Sequence, residues 1–160
     1  MKQTSLCYIE NSGRYLMMHR DKKVNDENKG KWIGVGGKFK EGESPEDCMM
    51  RETFEETGIR ISDFKYRGIV TFVSDIYETE HMHLFTATSD TDKFTPCDEG
   101  ELKWIPKGEI LSLNLWDGDR VFLKLIEDEN TPFFSLKLVY EGDNLTHTFI
   151  NGKIIKDRYI

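Results

Sequence analysis

The stretch from Gly36 to Ile59 reads GGKFKEGESPEDCMMRETFEETGI. A glycine pair is followed by a helix start: Ser44 is placed to cap, Pro45 suits the first helical position, and Asp47 completes a capping-box-like pattern. Gly58 is the matching stop, so the spacing predicts a helix from Pro45 to Thr57. Glu52, Glu55 and Glu56 fall in its second half. At ~100° per residue they share about 100° of arc, where like charges cost roughly 0.2–0.5 kcal/mol per pair in an isolated helix. Met50, Thr53, Phe54 and Thr57 fall on the other side and are expected to face the core. The carboxylates therefore read as a single-sign stripe, not a face laced by ion pairs.

An acidic stripe is ordinarily a solvated face. The glycines just ahead of this one point to more, because they let backbone approach the same place closely. A hard divalent cation such as Mg²⁺ takes carboxylate oxygens together with substrate phosphates and cancels the repulsion between them.

Working outward, Gln3 to Glu10 and Arg14 to Arg20 flank the turn Asn11-Ser12-Gly13 and read as a hairpin. Asp21 to Lys31 is polar and aperiodic, a loop, and Trp32 to Val35 is a short apolar piece leading into the glycines. Lys65 to Val73, His81 to Thr88 and Leu102 to Ile105 read as strands, the last stopped by Pro106. Lys107 to Leu113 suits one or two helical turns. Asp117 to Asp128 carries Val121, Phe122, Leu125 and Ile126 at helical spacing and reads as a second helix. Pro132 to Tyr140 and Leu145 to Ile150 flank Glu141-Gly142-Asp143-Asn144, a closing hairpin. This order predicts a mixed α/β or α+β sandwich, one domain over residues 1–160.

The 160 residues, 38% apolar, are enough for a sizeable core. The net charge of −7 argues against a stable nucleic-acid partner or an anionic membrane surface. It leaves room for a phosphorylated small molecule if a cation reverses the local sign. Cys7, Cys48 and Cys97 form no CxxC pair and fit free thiols in a reducing compartment. The first twenty residues lack an apolar h-region and no run reaches the ~18 apolar residues of a membrane span. A cytoplasmic chain is expected, as monomer or homodimer.

From Gly37 onward the stretch resembles the Nudix box, G-x5-E-x7-R-E-U-x-E-E-x-G-U with U a bulky aliphatic residue. Gly37, Glu43, Arg51, Glu52, Glu55, Glu56, Gly58 and Ile59 all match. Thr53 is the one departure, β-branched like Val and expected to change packing rather than chemistry. The resemblance implies the Nudix fold, a mixed β-sheet sandwiched between α-helices, and hydrolysis of a nucleoside diphosphate linked to another group. It implies that Glu52, Glu55 and Glu56 bind Mg²⁺ or Mn²⁺, joined by a carbonyl at Gly36 or Gly37. Glu43 and Arg51 would brace the loop on the helix; a plain surface ion pair is the alternative. Water attacks phosphorus while one carboxylate accepts the proton. Glu52 and Glu99 are both candidates for that base; Glu99 also stands where the resemblance implies an additional metal-binding Glu, and is alternatively a turn residue.

For the substrate, the segments from Gly30 to Lys38 and from Leu115 to Asp119 resemble the MutT-type 8-oxo-dGTP diphosphatases. That resemblance implies a purine nucleoside triphosphate substrate, with Lys38, Ile33, Trp116, Asp117 and Asp119 at the substrate. Trp116 would stack on the base and Asp119 read its edge; alternatively Trp116 anchors the second helix and Asp119 caps it. Gly118 stands where those proteins carry the first of two acidic base readers, and Asp117 is the residue expected to compensate. Ile33 stands where they place Asn. A Nudix enzyme for ADP-ribose, a dinucleoside polyphosphate or another dNTP is the second reading, and a silent nucleotide-binding Nudix module the third.

Overall fold

The computed structural model describes residues 1–155, so the last five residues of the expected domain lie outside the described residues. β1 (Lys2–Asn11) and β2 (Arg14–His19) form the expected hairpin, followed after the polar loop by β3 (Trp32–Ile33) and β4 (Val35–Lys38). α1 (Pro45–Thr57) precedes β5 (Asp63–Ser74), β6 (Glu80–Thr88) and β7 (Glu101–Pro106). A 3-10 turn (Lys107–Ser112), α2 (Asp117–Glu127), β8 (Phe134–Glu141), β9 (Asn144–Ile150) and β10 (Lys153–Ile155) complete the order. β10 was not anticipated: three residues are too short to show a period.

All the strands join one sheet in the order β10-β9-β8-β5-β6-β1-β2-β3, with β4 on β1 and β7 on β2. The sheet is mixed, since β1 runs parallel to β6 and β5 parallel to β8. Both faces are covered, and β1 shows how. Leu6 and Tyr8 point into a cluster with Val121, Phe122 and Ile126 of α2, while Cys7 and Ile9 point into a cluster with Met49 of α1. Two helices on opposite faces of a mixed sheet is the expected sandwich. The three cysteines are buried and free.

α1 begins as its sequence predicts. The Ser44 hydroxyl accepts from the Asp47 amide at 3.1 Å, and the Asp47 carboxylate accepts from the Ser44 amide at 3.1 Å. Gly58 ends the helix in the left-handed region at φ 76°, its amide donating to the Phe54 carbonyl. Of the residues expected to face the core, Thr53 and Thr57 are buried and Met50 packs against the core, but Phe54 does not. Cys48, Met49, Thr53, Glu56 and Thr57 are buried, whereas Phe54 is 41% exposed and lies under the Arg60 guanidinium. The acidic stripe thus borders and enters the helix face that meets the sheet.

At the far end of α2, Arg67 from β5 donates to the carbonyls of Ile126 and Asp128. A buried cation at these carbonyls favours the negative end of the helix dipole. Among the described residues, no helix is long and apolar enough to cross a membrane.

Candidate active site

The glycine pair is what brings β4, β1 and α1 into one place. Gly36 and Gly37 lie opposite Leu6 and Ser5 of β1. A Cβ at Gly36 would sit 1.9 Å from the Ser5 carbonyl oxygen, and one at Gly37 would sit 2.5–2.7 Å from the Glu52 carboxyl atoms. Backbone excludes a side chain at Gly36, and at Gly37 a side chain would displace the Glu52 carboxylate, which rests against bare backbone. The Gly36 amide donates to Glu56 Oε2 at 3.3 Å, and the Gly37 carbonyl accepts from the Cys48 thiol at 3.4 Å.

Glu56 is 6% exposed and its Oε1 has no hydrogen-bond partner. Burial, then the nearby Glu99 and Glu52 carboxylates, push its carboxyl up to about 9, against a smaller opposing effect of the Gly36 amide. A buried acid in an acidic neighbourhood, with one oxygen unpaired, is a group awaiting positive charge.

Arg51 supplies positive charge to the neighbouring Glu52 and Glu55, which corrects the reading of a stripe free of ion pairs. Its guanidinium binds Glu43 through two nitrogens at 2.7 and 2.9 Å, and reaches Glu52 at 2.8 Å and Glu55 at 3.2 Å. It also donates to the Lys38 carbonyl at 3.0 Å. The fork holds Glu43 down to about 2 and ties the loop from Lys38 to Ser44 onto α1. Glu55 remains half exposed.

Glu99 lies between β6 and β7, close enough to influence Glu56. Arg20 meets Glu99 at 3.4 Å and Lys23 at 3.5 Å, and Arg20 is itself held by Asp26 at 2.6 Å. Sequence reading singled out neither Arg20 nor Lys23, which sit in and beside a loop of no periodicity. Thr53 is fully buried against the sheet, where a larger aliphatic residue would otherwise pack.

The fit to a divalent cation can be judged from these groups. As the side chains stand, no three acidic, histidine or cysteine side chains among the described residues converge on one point. Arg51 draws Glu52 and Glu55, and Arg20 and Lys23 draw Glu99. The donors are nevertheless all hard oxygens, one of them orphaned and buried, and the glycine backbone lies beside them. That set fits a hard cation.

One cavity of about 550 Å³ runs from Gly36, Gly37, Glu52 and Glu99 to Trp116 and Asp119. Ile33 and Lys38 also line it. A second cavity, of about 430 Å³ beside Lys65 and Arg67, contains none of the predicted residues. At the far end of the first, Trp116 is 7% exposed, its indole N–H donating to Asn28 Oδ1 at 2.8 Å. Its ring meets Phe72 and Tyr140 edge to face, and the Lys31 ammonium lies 5.0 Å over it.

Trp116 is the N-cap residue of α2 and no side chain caps that end, so Asp119 does not act as a cap. Its carboxyl is buried and pushed up to about 8, first by burial and then by Glu80. Asp117, the residue expected to compensate, is exposed and lies outside the cavity lining. The space at Gly118 is itself taken. Its amide donates to the Tyr140 hydroxyl at 2.6 Å, and a Cβ there would meet Leu138 at 2.5 Å. Tyr140 packs where a side chain at position 118 would go.

The raised Asp119 carboxyl carries a signature in stability. Its folded value of about 8 lies above the ordinary 3.8, so the folded state holds a proton the unfolded chain releases. That stabilisation is full below about pH 4 and is lost as pH rises toward about 8. Asp119→Asn should therefore be progressively more stable than the wild type across this window. Thermal unfolding midpoints of the two proteins against pH measure it; parallel curves would show an unshifted carboxyl.

The NUDIX domain sequence profile matches residues 2–126. The chain belongs to the Nudix family. It is 29% identical over 126 residues to the uncharacterized Nudix hydrolase YvcI of Bacillus subtilis (strain 168), covering 74% of this chain and 75% of that one. It is 30% identical over 127 residues to the oxidized purine nucleoside triphosphate hydrolase of Danio rerio, covering 78% and 79%. The crystal structure of the MutT protein from Bacillus halodurans superimposes with a TM-score of 0.82 at 24% identity, over 94% of this chain and 98% of that one, a likeness of fold. The Nudix hydrolase described here is accordingly a pyrophosphohydrolase, in a family that acts on nucleotide substrates and generally uses a divalent metal.

Proposed function

We propose that this Nudix hydrolase splits a purine nucleoside triphosphate, 8-oxo-dGTP foremost, into the monophosphate and pyrophosphate, sanitising the cytoplasmic nucleotide pool. The carrying observation is that one cavity joins the glycine-backed carboxylates to Trp116 and Asp119. Its volume of about 550 Å³ leaves room for a nucleotide with its phosphates at the acidic end and its base at the other. The similarity to a relative named for oxidized purine triphosphates supports the same reading.

The chain's own residues divide the work. Glu52, Glu56 and Glu99, with Glu55 and the Gly36 and Gly37 backbone nearby, would hold Mg²⁺, or Mn²⁺ in its place. When bound, such a cation neutralises phosphate oxygens and makes water a better nucleophile at neutral pH. Glu52 or Glu99 takes the proton from the attacking water. Arg51, through Glu43, fixes the loop carrying Lys38, whose ammonium is free to meet phosphate. Asp119, neutral near pH 7, offers a hydroxyl donor and a carbonyl acceptor to the base edge. Trp116 supplies a flat apolar wall.

Product analysis tests the assignment. With 8-oxo-dGTP and Mg²⁺, equimolar monophosphate and pyrophosphate should appear. Diphosphate with orthophosphate, or an uncleaved triphosphate, would contradict it.

A further inference from the structure

Glu80 opens β6 and was not singled out by any spacing in the sequence. It lies in register with Lys2 of β1 on one side and Phe72 of β5 on the other. Residues directly opposite on neighbouring strands project to the same face. All three line the cavity, and the Phe72 ring packs on Trp116. Glu80 therefore belongs to the base end of the site, beside Asp119, on whose carboxyl its charge is the largest influence after burial.

The Glu80 carboxylate is held on two sides. The Thr4 hydroxyl donates to Oε2 at 2.6 Å, and the Lys2 ammonium pairs with Oε1 at 3.4 Å while also reaching Glu27 at 3.1 Å. A carboxylate has about four acceptor sites, so each oxygen keeps capacity. The side chain is 16% exposed, and that exposure opens on the cavity it lines. The Glu80 and Asp119 carboxyl groups thus face one space.

We propose that Glu80 is a specificity-determining residue, whose carboxylate accepts from the paired N–H groups of a guanine-type base edge. Guanine and 8-oxoguanine both present a ring N1–H beside an exocyclic amino group, two donors that match one carboxylate. Adenine presents a lone pair at that ring nitrogen, which a carboxylate repels. The Asp119 hydroxyl meets the remaining carbonyl acceptor. Thr4 is a positioning residue, since its hydroxyl fixes the carboxylate plane. This rests on the reading of the cavity as a purine site and adds the base that it selects.

The test is calorimetric binding of dGMP and dAMP to the full chain, wild type against Glu80→Gln, which keeps shape and removes the charge. Wild type should prefer dGMP. Glu80→Gln should weaken dGMP by about 5–150-fold, the range of one bidentate base contact, and change dAMP by less than about threefold. Thr4→Val should reproduce the loss of preference in smaller degree and carries the test if Glu80→Gln fails to fold. Equal weakening of both nucleotides, unchanged dGMP binding, or a wild type that does not prefer dGMP would overturn the proposal. The edge is common to guanine and its 8-oxo form. An enzyme without preference for 8-oxo-dGTP over dGTP would thus refute the oxidised-substrate reading and leave the Glu80 result standing.

Discussion

Glu56→Gln is expected to lower kcat by about 10²–10⁴-fold, the span of a lost acid–base or charge-organising group, while the protein stays folded. The two halves of this expectation come from one observation. Glu56 is buried with an unpaired oxygen and raised to about 9, so near pH 7 the metal-free folded state already carries it neutral. Glutamine of the same shape costs that state little, and removing an acid crowded by Glu99 and Glu52 leaves unfolding midpoints unchanged or higher. A cation held for catalysis needs the anion, which glutamine cannot become. Steady-state turnover together with thermal unfolding separates the cases. Wild-type kcat, or a loss of activity that tracks a loss of fold, would remove Glu56 from the site.

Trp116→Ala should lower the unfolding free energy by about 3–5 kcal/mol, the usual cost of emptying a large buried aromatic site. The indole is 7% exposed, bonded to Asn28 and braced by Phe72 and Tyr140, so the cavity left behind has little freedom to collapse. Trp116→Phe keeps a ring and should retain most of that stability, yet it loses the anchor on Asn28. In the folded fraction, the alanine variant should show a raised KM for purine triphosphates, because base stacking on an aromatic contributes about 1–3 kcal/mol. Urea titration measures the first effect and steady-state kinetics the second. A cost below about 1 kcal/mol would mark the indole as a surface group.

The two ends of the site differ in how much of them could be read from sequence. The helix start, its stop and the carboxylate spacing were legible, because Ser44, Asp47 and Gly58 act within one turn of where they sit. The buried face of α1 was legible only in part. A hydrophobicity count puts Phe54 inside and Glu56 outside; the structure does the reverse, since the sheet presents the bare backbone of Gly36 and Gly37 to the carboxylates. Binary patterning has no symbol for an acid buried for its chemistry. At the base end, Gly118 was legible as a gap in an acidic pair, but what fills it was not. Tyr140 comes from β8, and its contact with Gly118 spans 22 residues. Glu80 stayed unseen for the same reason: only strand register brings it to Lys2, Phe72 and Asp119.

Substrate choice is where the proposed site is most exposed to test. The deciding measurement is kcat/KM with Mg²⁺ for 8-oxo-dGTP beside dGTP, 2-hydroxy-dATP and ADP-ribose. The value should be highest for 8-oxo-dGTP, with dGTP and 2-hydroxy-dATP below it and ADP-ribose lowest. A preference for ADP-ribose would contradict the reading of Trp116 and Asp119 as the base end of a purine triphosphate site.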